Sequence, residues 1–90
     1  MNKCFLGGSV AAEVEGKEDC VGDVLVMLFK AEQKINETST DSFGDFKFDK
    51  LVPDSGEYRV RIQADGYEEK NIDVELADNL YLGTVRLQLI

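Results

Sequence analysis

The sequence predicts an all-β fold: a two-sheet sandwich of seven strands joined by Greek-key connections. Three stretches carry that expectation. Residues 40–51, Thr-Asp-Ser-Phe-Gly-Asp-Phe-Lys-Phe-Asp-Lys-Leu, read as the end of a strand, a glycine turn and an aromatic strand. Residues 56–62, Gly-Glu-Tyr-Arg-Val-Arg-Ile, alternate apolar and charged side chains with the two-residue period of a half-buried strand. Asp65-Gly66-Tyr67 then reads as a corner.

The first strand, residues 4–12, contains Gly7-Gly8, which indicates a bulge or a close backbone approach. An acidic loop follows over residues 13–19, with Gly16 as its turn residue. The second strand, residues 21–30, is apolar on consecutive positions, so it belongs at a sheet centre or is buried on both faces. A helical alternative exists over residues 24–34, where Met27-Leu28-Phe29-Lys30-Ala31-Glu32-Gln33-Lys34 contains good helix formers. The third strand, residues 34–40, is polar apart from Ile35 and reads as an edge.

In the fourth strand, residues 45–50, Phe46 and Phe48 face a core while Asp45, Lys47 and Asp49 face water. Leu51 and Val52 then plug the core before Pro53-Asp54-Ser55-Gly56 turns the chain. The fifth strand sets Tyr58, Val60, Ile62 and Ala64 against Arg59, Arg61 and Gln63, and the sixth sets Ile72, Val74 and Leu76 against Asn71, Asp73 and Glu75. The last, residues 82–90, places Val85, Leu87 and Leu89 on one face. Seven strands at this spacing are immunoglobulin-like in the broad sense.

Ninety residues make one domain, near the size where a single core becomes self-sufficient. With 43% hydrophobic and 31% charged residues, the composition is that of a soluble globular chain. The N-terminal stretch, residues 1–8, lacks an apolar core long enough for a secretory signal. The expected location is therefore the cytoplasm, unless this is a domain cut from a longer chain. A net charge of -8 repels phosphate backbones and anionic lipid, so neither nucleic acid nor membrane is an expected partner.

Cys4 and Cys20 could form one disulfide. If residues 4–12 pair in a hairpin with residues 21–30, however, the two cysteines lie about 25 Å apart at ~3.3 Å per residue. A disulfide needs Cα atoms within about 7 Å, so reduced thiols are expected. The chain has no histidine, which removes the commonest general base and metal ligand. Ser9, Ser39, Ser42 and Ser55 have no visible basic partner. Asp41, Asp45, Asp49, Asp54 and Asp65 invite a calcium reading, but their spacing misses the calcium-loop pattern and suits turn aspartates that bond their own backbone. Tyr58 and Tyr67 sit where a sandwich needs aromatic anchors. Tyr81, with Leu80 beside it, is harder to place in a core and is the candidate contact surface. No catalytic, cofactor-binding or metal-ligating residue is assigned, and the isolated chain is expected to be a non-catalytic monomer.

The pattern Thr-Asp-x-x-Gly-Asp-Phe-x-Phe-x-x-Leu over residues 40–51, with Gly56-x-Tyr58-x-Val60-x-Ile62 and Gly66-Tyr67, resembles the carboxypeptidase regulatory-like domains. The resemblance implies a prealbumin-like, seven-stranded sandwich, similar to the Cna-B repeats. Residues 41–48 and the cysteine-led first strand at Cys4 further resemble the C-terminal domain of iron–sulfur electron-transfer subunits that partner molybdopterin oxidoreductases. That likeness implies a chain cut from the C-terminus of such a subunit, with its four-iron (4Fe-4S) cluster cysteines upstream, and a protein partner: the rest of the subunit or its molybdopterin catalytic subunit. It leaves open export of the parent complex with its partner. The alternative from the same fold is an extracellular carbohydrate- or protein-binding module. Where Cna-B modules place an isopeptide-promoting glutamate, this chain has Ile62, so that cross-link is not implied. Transthyretin-like hydrolases end in Tyr-Arg-Gly-Ser and use histidines, both missing here.

Overall fold

Apolar alternation builds most of the architecture. A computed structural model describes residues 3–90, apart from the side chain of Val14. Met1 and Asn2, part of the N-terminal stretch read above, lie outside the described residues. The chain forms eight strands: β1 Cys4–Val14, β2 Lys17–Cys20, β3 Leu25–Lys30, β4 Gln33–Ser39, β5 Asp45–Leu51, β6 Gly56–Gln63, β7 Lys70–Leu76 and β8 Leu80–Leu87. No helix occurs among the described residues, so residues 24–34 form a hairpin and not the helical alternative.

β1 organises the first sheet. It pairs antiparallel with β5 along residues 4–9 and with β2 along residues 11–14. It pairs parallel with β8 along residues 6–12. Since the β8 register overlaps both of the others, β5 and β2 lie in tandem on one edge of β1 and β8 lies on the other. The second sheet runs β4-β3-β6-β7, antiparallel throughout. After β2, after β4, after β5 and after β7 the chain crosses from one sheet to the other, as Greek-key connectivity requires.

Phe48, Leu6, Leu28, Ile62, Leu76, Val10, Val26 and Val60 are fully buried between the sheets. Phe46 and Phe48 meet edge to face, their centroids 6.3 Å apart, a geometry aromatic quadrupoles favour. Gly8 makes room for this pair, because a Cβ there would stand 3.0 Å from the Phe46 ring. Tyr58 anchors the core as expected, its hydroxyl 2.7 Å from Ser55 Oγ. Thr40 is the one buried polar side chain among the described residues. Its hydroxyl donates to the Val21 carbonyl at 2.8 Å and accepts from the Val24 amide at 3.0 Å, fixing the first crossing between sheets.

Four expectations need correcting. The strand count is eight, because the acidic loop contains β2, a fully exposed strand turned by Glu15-Gly16. With no buried face, such a ribbon leaves no hydrophobic pattern to read. The segment 21–30 does not pair with the first strand beyond one bond, from the Val21 amide to the Val10 carbonyl. Residues 25–30 instead form the inner strand β3 of the other sheet. Val52 is 44% exposed and does not plug the core, and Leu51 is only half-buried. Finally, the last strand begins at Leu80 and Leu89 is exposed. Gly83, at φ +77°, inserts an extra residue against β1, so the inward side chains change from Leu80 and Leu82 to Val85 and Leu87.

Candidate interaction surface

Tyr81 lies on the outer face of the first sheet, 59% exposed. β8 places it opposite Gly7 of β1. Its hydroxyl is 2.7 Å from Ser9 Oγ, and Ser9 Oγ donates to Asp45 Oδ1 at 2.6 Å. Ser9 has one proton and gives it to the carboxylate, so Tyr81 is the donor to Ser9. Three strands thus hold one exposed ring at its tip. Lys47, next along β5, sits 4.8 Å above the Phe5 ring and 3.3 Å from Asp49. Phe5, Gly7, Lys47, Asp45 and Tyr81 together line a shallow, open depression.

The arrangement is one suited to recognition. The Ser9 proton is already committed to Asp45, and the sequence has no histidine to activate the hydroxyl. Among the described residues no three histidine, cysteine, aspartate or glutamate side chains group as a metal site. Asp41 behaves as a turn residue: its Oδ1 accepts from the Phe43 and Asp45 amides at 2.9 and 3.0 Å. Both cysteines are free. Cys4 is buried and Cys20, opposite Ala11, is exposed. Seven residues of β1 separate the two rows, about 23 Å at ~3.3 Å per residue. The disulfide is excluded as expected, though through β2 and not through the hairpin the sequence suggested. Burial, joined by the Asp78 and Asp54 carboxylates, pushes the Cys4 thiol up. Two thiols so placed do not fit a four-iron cluster, which takes four cysteine ligands.

The structure separates the two residues singled out together as a contact surface. Tyr81 points outward, whereas Leu80 is half-buried and packs against the core. Sequence reasoning missed Ser9 as the partner of Tyr81 and Asp45 as the partner of Ser9, since the pairs are 72 and 36 residues apart and meet only through the sheet. It also missed Phe43, 73% exposed at the turn before β5. Its signal was present: an aromatic between a turn aspartate and a turn glycine has no strand to bury it.

The outer face of the second sheet is different. There Arg59 donates to Asp73 at 2.8 Å, Arg61 donates to Asn71 at 2.9 Å, and the Arg61 guanidinium lies 4.6 Å over Phe29. On this face the two arginines of β6 are each engaged by a neighbour on β7, and Arg61 also covers Phe29 of β3.

The family model of the carboxypeptidase regulatory-like domain matches residues 7–88. The small subunit of pyrogallol hydroxytransferase from Pelobacter acidigallici is 35% identical over 78 residues, covering 87% of this chain and 28% of that relative. The chain therefore spans little more than a quarter of the relative's length. Among solved structures, a minor pilin of Streptococcus agalactiae aligns over 98% of this chain and 45% of its own, with TM-score 0.71 and 14% identity. A type II cohesin–X-dockerin complex from Acetivibrio cellulolyticus aligns over 96% of this chain and 58% of its own, with TM-score 0.72 and 17% identity. A 3-chlorocatechol 1,2-dioxygenase from Rhodococcus opacus aligns over 99% and 60%, with TM-score 0.67 and 14% identity. At such identities these structures share the fold alone.

Proposed function

Because the chain belongs to the carboxypeptidase regulatory-like domain family, we propose that it is a non-catalytic accessory domain of an iron–sulfur electron-transfer subunit. Its role there is to stabilise that subunit or dock it to a molybdopterin catalytic partner. The likeness to a hydroxytransferase small subunit supports an accessory place within a larger enzyme. The observation that carries the docking role is Tyr81, an exposed aromatic whose hydroxyl is pinned by Ser9 and Asp45. An exposed ring already held in place loses little freedom on binding, and tyrosines in that situation are typical binding hot spots. Phe5 and Lys47 extend the patch with apolar surface and a charged rim. In this reading the four-iron clusters belong to the parent subunit outside this segment.

The test is the parent subunit purified with its catalytic partner, with and without this domain, and as Tyr81→Ala. The expected result is unchanged cluster spectroscopy, weaker association without the domain, and at least about tenfold weaker association for Tyr81→Ala, the loss of a modest hot spot. A parent lacking spaced cysteine runs, or association indifferent to both changes, overturns the proposal. Saturable binding of a glycan at Tyr81 would favour the carbohydrate-binding alternative.

A further inference from the structure

β8 leaves one edge open. Among the described strands it pairs only with β1, and beyond Leu87 its free edge is closed by the bond from the Glu68 amide to the Gln88 carbonyl and by the Tyr67–Leu89 bridge. Residues 80–87 therefore present unpaired backbone. Natural sheets guard such edges with charged side chains. β2 carries Lys17, Glu18 and Asp19; β4 carries Lys34 and Glu37; β5 carries Asp45, Lys47, Asp49 and Lys50; β7 carries Lys70, Asp73 and Glu75. β8 carries only Arg86, and that side chain leans back across β1 to Glu18 at 3.0 Å. Tyr81 leans the same way, to Ser9. Both leave the edge clear. The inward side chains Leu80 and Leu82 are only half-buried, although they face the core.

We infer that β8 pairs antiparallel with the β8 of a second copy, joining the two first sheets into one continuous sheet. The choice of occupant follows from the bulge. Inward residues along β8 are Leu80, Leu82, Val85 and Leu87, and outward ones are Tyr81, Thr84 and Arg86, with the alternation broken at Gly83. A regular strand laid along the full edge matches one half and mismatches the other, because directly opposed residues must share a face. A second copy resolves this. With Gly83 opposite Thr84 of the other copy, Leu82 meets Val85, Tyr81 meets Arg86 and Leu80 meets Leu87, so both breaks coincide at the two-fold axis. This register matches faces at all eight positions of β8. It also covers the exposed parts of Leu80 and Leu82, and it sets two Tyr81 patches side by side on one surface. The sequence leads instead to the expectation of a monomer, because a free edge is a property of topology, which composition does not reveal.

Sedimentation equilibrium of this chain tests the inference. The interface is small, so the expected result is a weak dimer: an apparent mass rising from 10.0 kDa towards twice that as concentration approaches about 1 mM. Each copy carries a charge of -8, so salt should strengthen the dimer by screening the repulsion between copies. Leu82→Lys, a charge placed on the inward row of the edge, should weaken it at least about tenfold with the circular dichroism unchanged. Should that variant not fold, the native chain decides: concentration-dependent amide shifts must be confined to residues 80–87 and their immediate neighbours. A constant 10.0 kDa at the highest concentration, association that salt weakens, or shifts centred on the β4 or β7 edge would each overturn the inference.

Discussion

Replacing Gly44 by alanine tests the turn that joins β4 to β5 and the contact that turn makes with β1. Gly44 has φ +80°, and a Cβ there would stand 2.5 Å from the Val10 carbonyl oxygen and 3.2 Å from both Cys20 Cβ and the Val21 amide nitrogen. That carbonyl accepts the Val21 amide at 3.0 Å, while the Val10 amide donates to the Gly44 carbonyl at 2.8 Å. Two penalties therefore combine. A left-handed backbone costs an L-residue about 1–2 kcal/mol. Moving the Val10 carbonyl aside forfeits a hydrogen bond of about 1 kcal/mol and strains the ladder beside it. The expected loss of ~2–4 kcal/mol is a large share of the ~5–15 kcal/mol available to a small domain. At about 4–8 °C per kcal/mol it lowers the melting temperature by roughly 10–30 °C. Gly16 supplies the control, since it has φ +78° with nothing within 4 Å of its added Cβ. Gly16→Ala should lose the backbone term alone. Thermal and urea unfolding of both variants separate the two terms. Equal losses would refute the contact with Val10, and an unchanged Gly44→Ala would refute the turn itself.

Phe48→Ala empties the centre of the core and should cost ~3–5 kcal/mol by urea titration; a loss under about 1 kcal/mol would mean that β5 is out of register. Thr40→Val keeps the shape but strands the Val21 carbonyl and Val24 amide, so a loss of about 2–4 kcal/mol is expected, with Thr40→Ser recovering most of it. Arg59 holds the Asp73 carboxyl below its usual range, and Gln63 with Asn71 does the same for Glu69. Folded-state values below the unfolded ones give stability that is complete above the unfolded carboxylate range of about 4 and is lost as pH falls through the folded values. The urea midpoint should therefore drop between about pH 5 and pH 3, and Asp73→Asn with Glu69→Gln should flatten part of that drop.

The strands with one buried and one wet face were legible residue by residue. Phe46 and Phe48 in β5, and Tyr58, Val60 and Ile62 in β6, face inward as their alternation predicts. β3 was legible as an inner strand from its consecutive apolar residues, but that property says nothing about which sheet it joins. Its true neighbours, β4 and β6, follow from residues 21–24 crossing between sheets under the hold of Thr40. In β8 the alternation placed Val85 and Leu87 inward correctly, but the start at Leu80, the bulge at Gly83 and the exposure of Leu89 leave no such pattern to read. The site divided in the same way. Tyr81 could be suspected from its own strand, while the Ser9–Asp45 support depends on the placement of β1 between β5 and β8.

The two outer faces offer a partner unequal opportunities. To bind the second sheet, a partner must displace Arg59 from Asp73 or Arg61 from Phe29 and Asn71, replacing satisfied contacts with others of similar worth. Exposed ion pairs contribute little to stability, but breaking them yields nothing to a newcomer either. On the first sheet Lys47 is likewise engaged with Phe5 and Asp49, but Tyr81 presents an exposed ring beside it. Tyr81 keeps its bond to Ser9 while its ring stays open. Any gain there comes from covering apolar surface, which salt does not screen. Docking at this face should accordingly be less salt-sensitive than the net charge of -8 suggests. Steep weakening by salt would instead place the partner on the acidic residues elsewhere on the chain.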